Sequence, residues 1–224
     1  YVVSNNCGNI SINNTTINAG SNANQFAFDV CGYAKYTAGV TVTVSGTSVI
    51  NGKVEISKSA GNTEPMKLNI TGGTFNGDLK VDASVGTENA KSIISVSGGT
   101  FSDPSALKYM KTNANVNIKL TADKTCPGFK TTSGQTLTMD LGGKILTLAD
   151  PTVGSTGTET NSCQLLEGSN VTFKNGTLKS DNNKIMIQNY CNLTLDNMTV
   201  EDTNAQYVVS NNCGNISINN TTIN

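Results

Sequence analysis

One frame recurs along the whole of this chain. An apolar residue, any residue and a second apolar residue come first. A small or polar pair follows, and a third apolar residue stands five positions after the second. The frame reads Ile10, Ile12 and Ile17, then Val42, Val44 and Val49, then Leu68, Ile70 and Phe75, then Ile94, Val96 and Phe101. It continues as Met139, Leu141 and Leu146, then Val171, Phe173 and Leu178, then Leu193, Leu195 and Val200, and ends with Ile216, Ile218 and Ile223. Alternation over three residues makes a short strand with one buried face. Most linking pairs contain Gly or Asn, such as Ser45 and Gly46, Gly72 and Gly73, or Asn175 and Gly176. Those residues tolerate bent or left-handed backbone, so the third apolar residue can return to the same core.

Successive frames start 32, 26, 26, 45, 32, 22 and 23 residues apart. The long gap holds Val116, Ile118 and Leu120, so it predicts two turns. A second apolar strand precedes several frames, at 26–28, 79–81, 165–166, 185–187 and 207–209. Each unit is then one turn of a coil, and turns of this length stacked in parallel make a β-solenoid. The expected fold is all-β: a parallel β-helix of roughly eight to nine turns, forming a single domain over residues 1–224. A β-sandwich also has short strands at regular spacing, but it would vary its turns rather than repeat one bend chemistry. The shared register predicts a core containing Val42, Val44, Ile70, Phe75, Val96, Phe101, Leu141, Phe173, Leu195 and Ile218. Residues 18–40 and 147–161 read as insertions, and Asp103 followed by Pro104 starts a short helix near 103–111.

Residues 1–18, "YVVSNNCGNISINNTTIN", return without change as residues 207–224. Other turns share only the apolar frame, so identity over 18 positions is a different kind of repeat. It predicts a 206-residue period in a longer array, with this chain as one period plus one turn. The chain does not start with Met, which fits a piece of a longer or processed protein. A circular permutant or a built-in duplication are the alternatives. The ends of a solenoid are unpaired edges that must be capped or continued, so end-to-end contact between copies is expected.

Two stretches, "ITGGTFNG" at 70–77 and "VSGGTFSDP" at 96–104, resemble repeats of right-handed parallel β-helix proteins of bacteria and phages, the pectin-lyase-like type. "LTMDLGGKILTL" at 137–148, followed by "GSNVTFKNGTLKS" at 168–180, resembles the opening turns of such proteins. In that arrangement the opening turns precede the "GGTF" turns; here the order is reversed, as in a window cut from a tandem array. The resemblance implies a fold more than an activity, since such β-helices include lyases, hydrolases, adhesins, surface proteins and virion components.

Chemistry-bearing residues are sparse. The chain has no His, Arg or Trp, and 15 Lys stand against 16 Asp and Glu. Near-neutral charge without Arg disfavours nucleic-acid binding, which needs clustered cations, and no apolar run is long enough to span a bilayer. Lyase chemistry of the resembled type uses a Ca²⁺ site and a basic residue, usually Arg, which is missing here. Hydrolases of that type pair two Asp residues as acid and base. Asp29, Asp140 and Asp196 are the candidates, with solvated surface carboxylates as the stronger reading. Tyr33, Tyr36, Tyr109 and Tyr190 are the aromatics available to a glycan, although capping a loop or core edge is the commoner use.

No Cys-X-X-Cys motif suggests a metal or redox site. Cys191 and Cys213, 22 residues apart after aligned strands, form a candidate stack, either a reduced buried pair or a disulfide. Asn-X-Ser/Thr triplets, as at Asn170, Asn175, Asn192 and Asn197, arise from composition alone. The expected function is therefore structural or adhesive, without cofactor or metal: an extracellular segment of a bacterial-surface or phage-associated fibre. Its expected partners are further copies of itself and a host-surface glycan. A carbohydrate-active enzyme or a glycan-binding module is the alternative.

Overall fold

A computed structural model describes every residue except Ser21, Ala23, Pro151, Thr152, Thr158, Asn182 and Asn183. Three of these lie in the 147–161 insertion and two in the 18–40 insertion. The fold is an all-β parallel coil. It divides into two compact units, Tyr1–Lys111 and Thr112–Asn224.

In the first unit each turn contributes strands to three parallel columns. The leading column holds Phe26–Gly32, Lys53–Lys58 and Leu79–Val81. The central column holds Gly8–Asn13, Val40–Ser45, Met66–Ile70 and Ile94–Phe101. The trailing column holds Thr16–Asn18, Val49–Asn51, Thr74–Phe75 and the end of Ile94–Phe101. The register is the sequence frame made visible, since Ile12, Val44, Ile70 and Val96 lie one above another. Val42, Val44, Ile70, Phe75, Val96 and Phe101 are buried. The Phe75 and Phe101 rings stack with centroids 5.0 Å apart, a contact worth about 1 kcal/mol beyond the area it buries.

The second unit repeats the plan. Its leading column holds Phe129–Thr131, Asn161–Leu165, Ile185–Asn189 and Tyr207–Asn211. Its central and trailing strands are fused in Thr136–Ala149, Asn170–Ser180 and Asn192–Asp202. Val116 and Ile118 align with Leu137 and Met139, so the 45-residue gap does contain an extra turn. Phe173 and Leu195 are buried in register.

Several expectations need correction. Ile50, not Val49, pairs with Ile17 and Phe75. The bend before it is one residue longer, and Ser48 turns inward to donate to the carbonyls of Ser45 and Ile12. Leu141 is buried, but Met139 is the residue that aligns with Phe173. Gly142 and Gly143, at φ 57° and 77°, lie in the break of register that tucks Leu141 inward. The short helix is a 3₁₀ turn, Pro104–Tyr109, whose Asp103 carboxylate accepts from the Ser105 amide. A second helix, Thr87–Ile93, was not expected. Glu88 in its first turn and Lys91 in its last complement the helix dipole, a signal present in the sequence.

Candidate functional site

The feature that sets this coil apart is the turn it contains twice. The two copies bend alike at the Asn–Thr corner but not at the glycine, where Gly8 takes φ 87° and Gly214 does not take left-handed backbone. Asn14 and its counterpart Asn220 both take left-handed backbone, at φ 50° and 44°. Thr15 Oγ1 donates to the Asn13 carbonyl at 2.9 Å, and Thr221 Oγ1 to the Asn219 carbonyl at 2.8 Å. Asn5 Nδ2 donates to the Gly8 carbonyl, and Asn211 Nδ2 to the Gly214 carbonyl.

Their pairing is opposite. Gly8–Asn13 and Thr16–Asn18 pair with Val40–Ser45 and Val49–Asn51 of the following turn. Tyr207–Asn211, Asn215–Asn219 and Thr222–Ile223 pair with Ile185–Asn189 and Asn192–Asp202 of the preceding turn. Among the described residues, the other edge of each copy has no strand partner.

Each copy is pinned from its paired side. The buried Asp29 carboxylate accepts the Asn5 amide at 2.6 Å and the Ser4 hydroxyl at 3.1 Å. Tyr1 Oη donates to Glu55, and that bond, with burial, pushes the phenol well above its ordinary value. On the other copy, the buried Asn189 amide donates to Asn211 Oδ1 at 2.8 Å and accepts from the Cys191 amide at 3.1 Å.

Ile218, expected in the core, is not buried. It is 47% exposed, against 5% for its counterpart Ile12, and Ile223 is 39% exposed against 5% for Ile17. The residues are the same, but among the described residues no turn lies over 207–224 as Val40–Ser45 and Val49–Asn51 lie over 1–18. The Cys191–Cys213 stack does not form either. Ile187 pairs with Val209 as the alignment required, but Asn192 pairs with Asn215, so one extra residue enters the later turn. Gly214 takes the place over Cys191, where a Cβ would lie 2.4 Å from the Cys191 carbonyl oxygen. Cys191 is buried, Cys213 is exposed, and both thiols are free.

The candidate acids do not converge as a pair. Asp140, Lys174 and Asp196 stand in register on consecutive turns, with the lysine between the carboxylates and its Nζ 3.8 Å from Asp140. Such a ladder of alternating charge relieves repulsion along the column. Asp29 is occupied by Ser4 and Asn5. Tyr33 and Tyr36 form an exposed pair with centroids 5.7 Å apart, whereas Tyr109 is buried. Tyr190 lines an open cleft of about 540 Å³ with Gln164, Glu167 and Cys213. Among the described residues, no cluster of three or more acidic or sulfur ligands is placed to hold a metal ion, and no helix is long and apolar enough to cross a membrane.

The asparagines carry a structural role that composition did not reveal. Asn76 donates to Asn51 and Asn51 to Asn18, each at 2.7 Å. Asn215 donates to Asn192 and Asn192 to Asn170, each at 3.0 Å. Asn197 donates to Asn175, which donates to Asp140. These ladders satisfy one turn's amides with the next turn's. Recurrence of Asn at equivalent positions of successive turns was the available signal.

Compared with known proteins, the chain matches no family model, no curated protein and no solved structure.

Proposed function

We propose that this chain is a structural, non-catalytic segment of a periodic β-solenoid, part of an extracellular fibre of a bacterial surface or a phage. In this reading residues 207–224 begin the next 206-residue period, and the coil continues from copy to copy. One observation carries it: the same 18 residues accept parallel strands on the following edge in one copy and on the preceding edge in the other.

The side chains suit both edges. Ile12 and Ile17 are buried where a following turn is present. A Cβ on Gly8 would meet nothing, whereas one on Gly214 would collide with the preceding turn. The glycine serves each copy differently: left-handed backbone at φ 87° in the first, and close approach to the preceding turn in the second. The resemblance of the "GGTF" turns to β-helices of bacteria and phages supports the location, and the exposed Tyr33 and Tyr36 pair is the surface that best suits a host glycan.

The test is a fusion in which residues 19–224 follow directly after Asn224. Hydrogen exchange of residues 207–224 should slow relative to the unfused chain and fall below that of residues 1–18, which keep one open edge. One added period should lengthen the particle by roughly 40 Å at the strand spacing of about 4.8 Å. Continued fast exchange at 207–224 would defeat the periodic reading. Polysaccharide turnover abolished by Asp140→Asn or Asp196→Asn would replace the structural reading with an enzymatic one.

A further inference from the structure

An open cleft of about 540 Å³ follows the leading column of the second unit. Successive turns build its wall: Ser133, then Leu166 and Glu167, then Tyr190, then Cys213, with Gln164 at its floor. The volume lies in the range of small-molecule sites, about 300–1,000 Å³.

The floor is fixed and offers an acceptor. Gln164 is 2% exposed, and its Nε2 donates to Ser155 Oγ and to Gln188 Oε1, each at 3.1 Å. Both amide hydrogens are therefore engaged. Its Oε1 has no partner among the described residues, yet reaches solvent. An amide oxygen left unpaired on a buried side chain is uncommon, and this one lies where a ligand N–H can reach it. Glu167 brings the single charge of the lining, an exposed carboxylate that no lysine pairs with among the described residues. Tyr190 brings an aromatic face, steadied by the bond from Asn212 Nδ2 to its Oη at 2.9 Å. Leu166 adds an apolar wall.

We propose that this cleft binds a small organic ammonium ion, the free amine of an amino sugar or of a polyamine. Such a group carries three N–H donors and a positive charge. Glu167 offsets the charge, Gln164 Oε1 accepts one N–H, and the Tyr190 ring attracts the cation through its π face. Leu166 meets the carbon body. An anion would be repelled by Glu167, and a neutral ligand would strip water from that carboxylate without replacing it. A bare metal ion is a poorer fit, because among the described residues no three acidic or sulfur ligands come together. The inference does not rest on the periodic reading, since Gln164, Glu167 and Tyr190 all stand on internal turns of the second unit.

The test is an NMR titration of the whole chain with glucosamine and, separately, with putrescine; the tighter binder identifies the source of the amine. N-acetylglucosamine has the same ring without the charge and should bind about tenfold more weakly than glucosamine, as expected for loss of a charged hydrogen bond. Glu167→Gln, an exposed change of nearly equal shape, should keep the melting temperature and weaken the amine about fivefold. Tyr190→Leu should weaken it about two- to fivefold, whereas Tyr190→Phe keeps the ring and should not. Cys213 gives a second readout: saturating amine should slow its labelling by a thiol reagent and leave Cys7, its counterpart outside the cleft, unchanged. Equal binding of glucosamine and N-acetylglucosamine overturns the proposal, as does a folded Glu167→Gln chain that binds the amine as tightly as before. Absence of saturable binding by either amine overturns it too. None of these outcomes touches the periodic reading, which stands or falls on the fused array.

Discussion

Residues 1–18 and 207–224 share a sequence and the left-handed bend at Asn14 and Asn220, yet the first buries Ile12 and Ile17 and the second exposes Ile218 and Ile223. In a globular domain a side chain's burial follows largely from its own element and the single core that element faces. In a coil of stacked turns it also depends on whether another turn lies over it. The two copies bring these contributions apart, because the Asn–Thr bend is kept while the neighbour and the backbone at the glycine change. The Asn–Thr bend belongs to the 18 residues; burial, and the backbone at the glycine, belong to the stack.

The sharpest way to break this comparison is to truncate equivalent isoleucines. Ile12→Ala should destabilise the chain by about 2–5 kcal/mol, the range for buried large-to-small changes. Ile218→Ala should cost less than about 1 kcal/mol, because much of that side chain is already in water. Equal losses in denaturant unfolding would show that the two environments do not differ. In the fused array the Ile218→Ala loss should rise to match that of Ile12→Ala.

A smaller effect separates the two anchors. Asp29→Ala removes the acceptor for the Asn5 amide and the Ser4 hydroxyl, a loss of about 1–3 kcal/mol if those donors stay unpaired. Hydrogen exchange should quicken in residues 1–18 and stay unchanged in 207–224. Asn189→Ala should do the reverse. Loosening of both copies by either variant would mean that the anchors are not local.

Thiol chemistry sharpens the comparison further. Cys7 and Cys213 occupy the same position in the two copies and are both exposed, so a thiol reagent should modify both within the native state. Cys126, Cys163 and Cys191 are buried and should react only on unfolding. Mass mapping after brief labelling reads this directly.

The smallest effect is expected in alkali. Burial, reinforced by nearby Cys126, pushes the Cys163 thiol well above its ordinary value of 9.0, and burial raises Cys191 as well. A raised folded value favours folding below 9.0, and that contribution is lost as pH climbs toward the folded value. Stability of the second unit should therefore decline from about pH 9 upward, and Cys163→Ala should flatten the decline. The Tyr1 phenol, held up by Glu55, adds a similar loss for residues 1–18, but only above its ordinary value of 10.0. If residues 1–18 loosen first as pH rises, this ordering is wrong.

Much of the coil was legible because alternation and bend residues recur with a fixed spacing. Where the spacing varied, the reading slipped. Ser48 lengthened one bend and moved the inward position from Val49 to Ile50. The break of register around Gly142 and Gly143 put Met139 where Leu141 was expected in the alignment. Ile218 was assigned to the core because periodicity reports which face a side chain takes, not whether a turn covers it. The cysteine alignment held through Asn189 and failed at the next corner, where one inserted residue sufficed to part the two sulfurs. Asp29 and Asn189 were not read as anchors because each acts on a segment more than twenty residues distant, through a contact that exists only once the turns stack.

The asparagine ladders also bear on how the protein ages. Asn51, Asn76 and Asn175 are ladder members, and each is followed by glycine. Asparagine is chemically labile, and the unhindered amide of a following glycine is the neighbour most able to attack its side chain and expel ammonia. Conversion of Asn51 to aspartate would keep the bond from Asn76 but remove the donor that reaches Asn18. It would also place a negative charge against the Asn18 carbonyl oxygen. Each such event unfastens one turn from the one before it, so the amides that join successive turns also set how long the joined coil stays chemically intact.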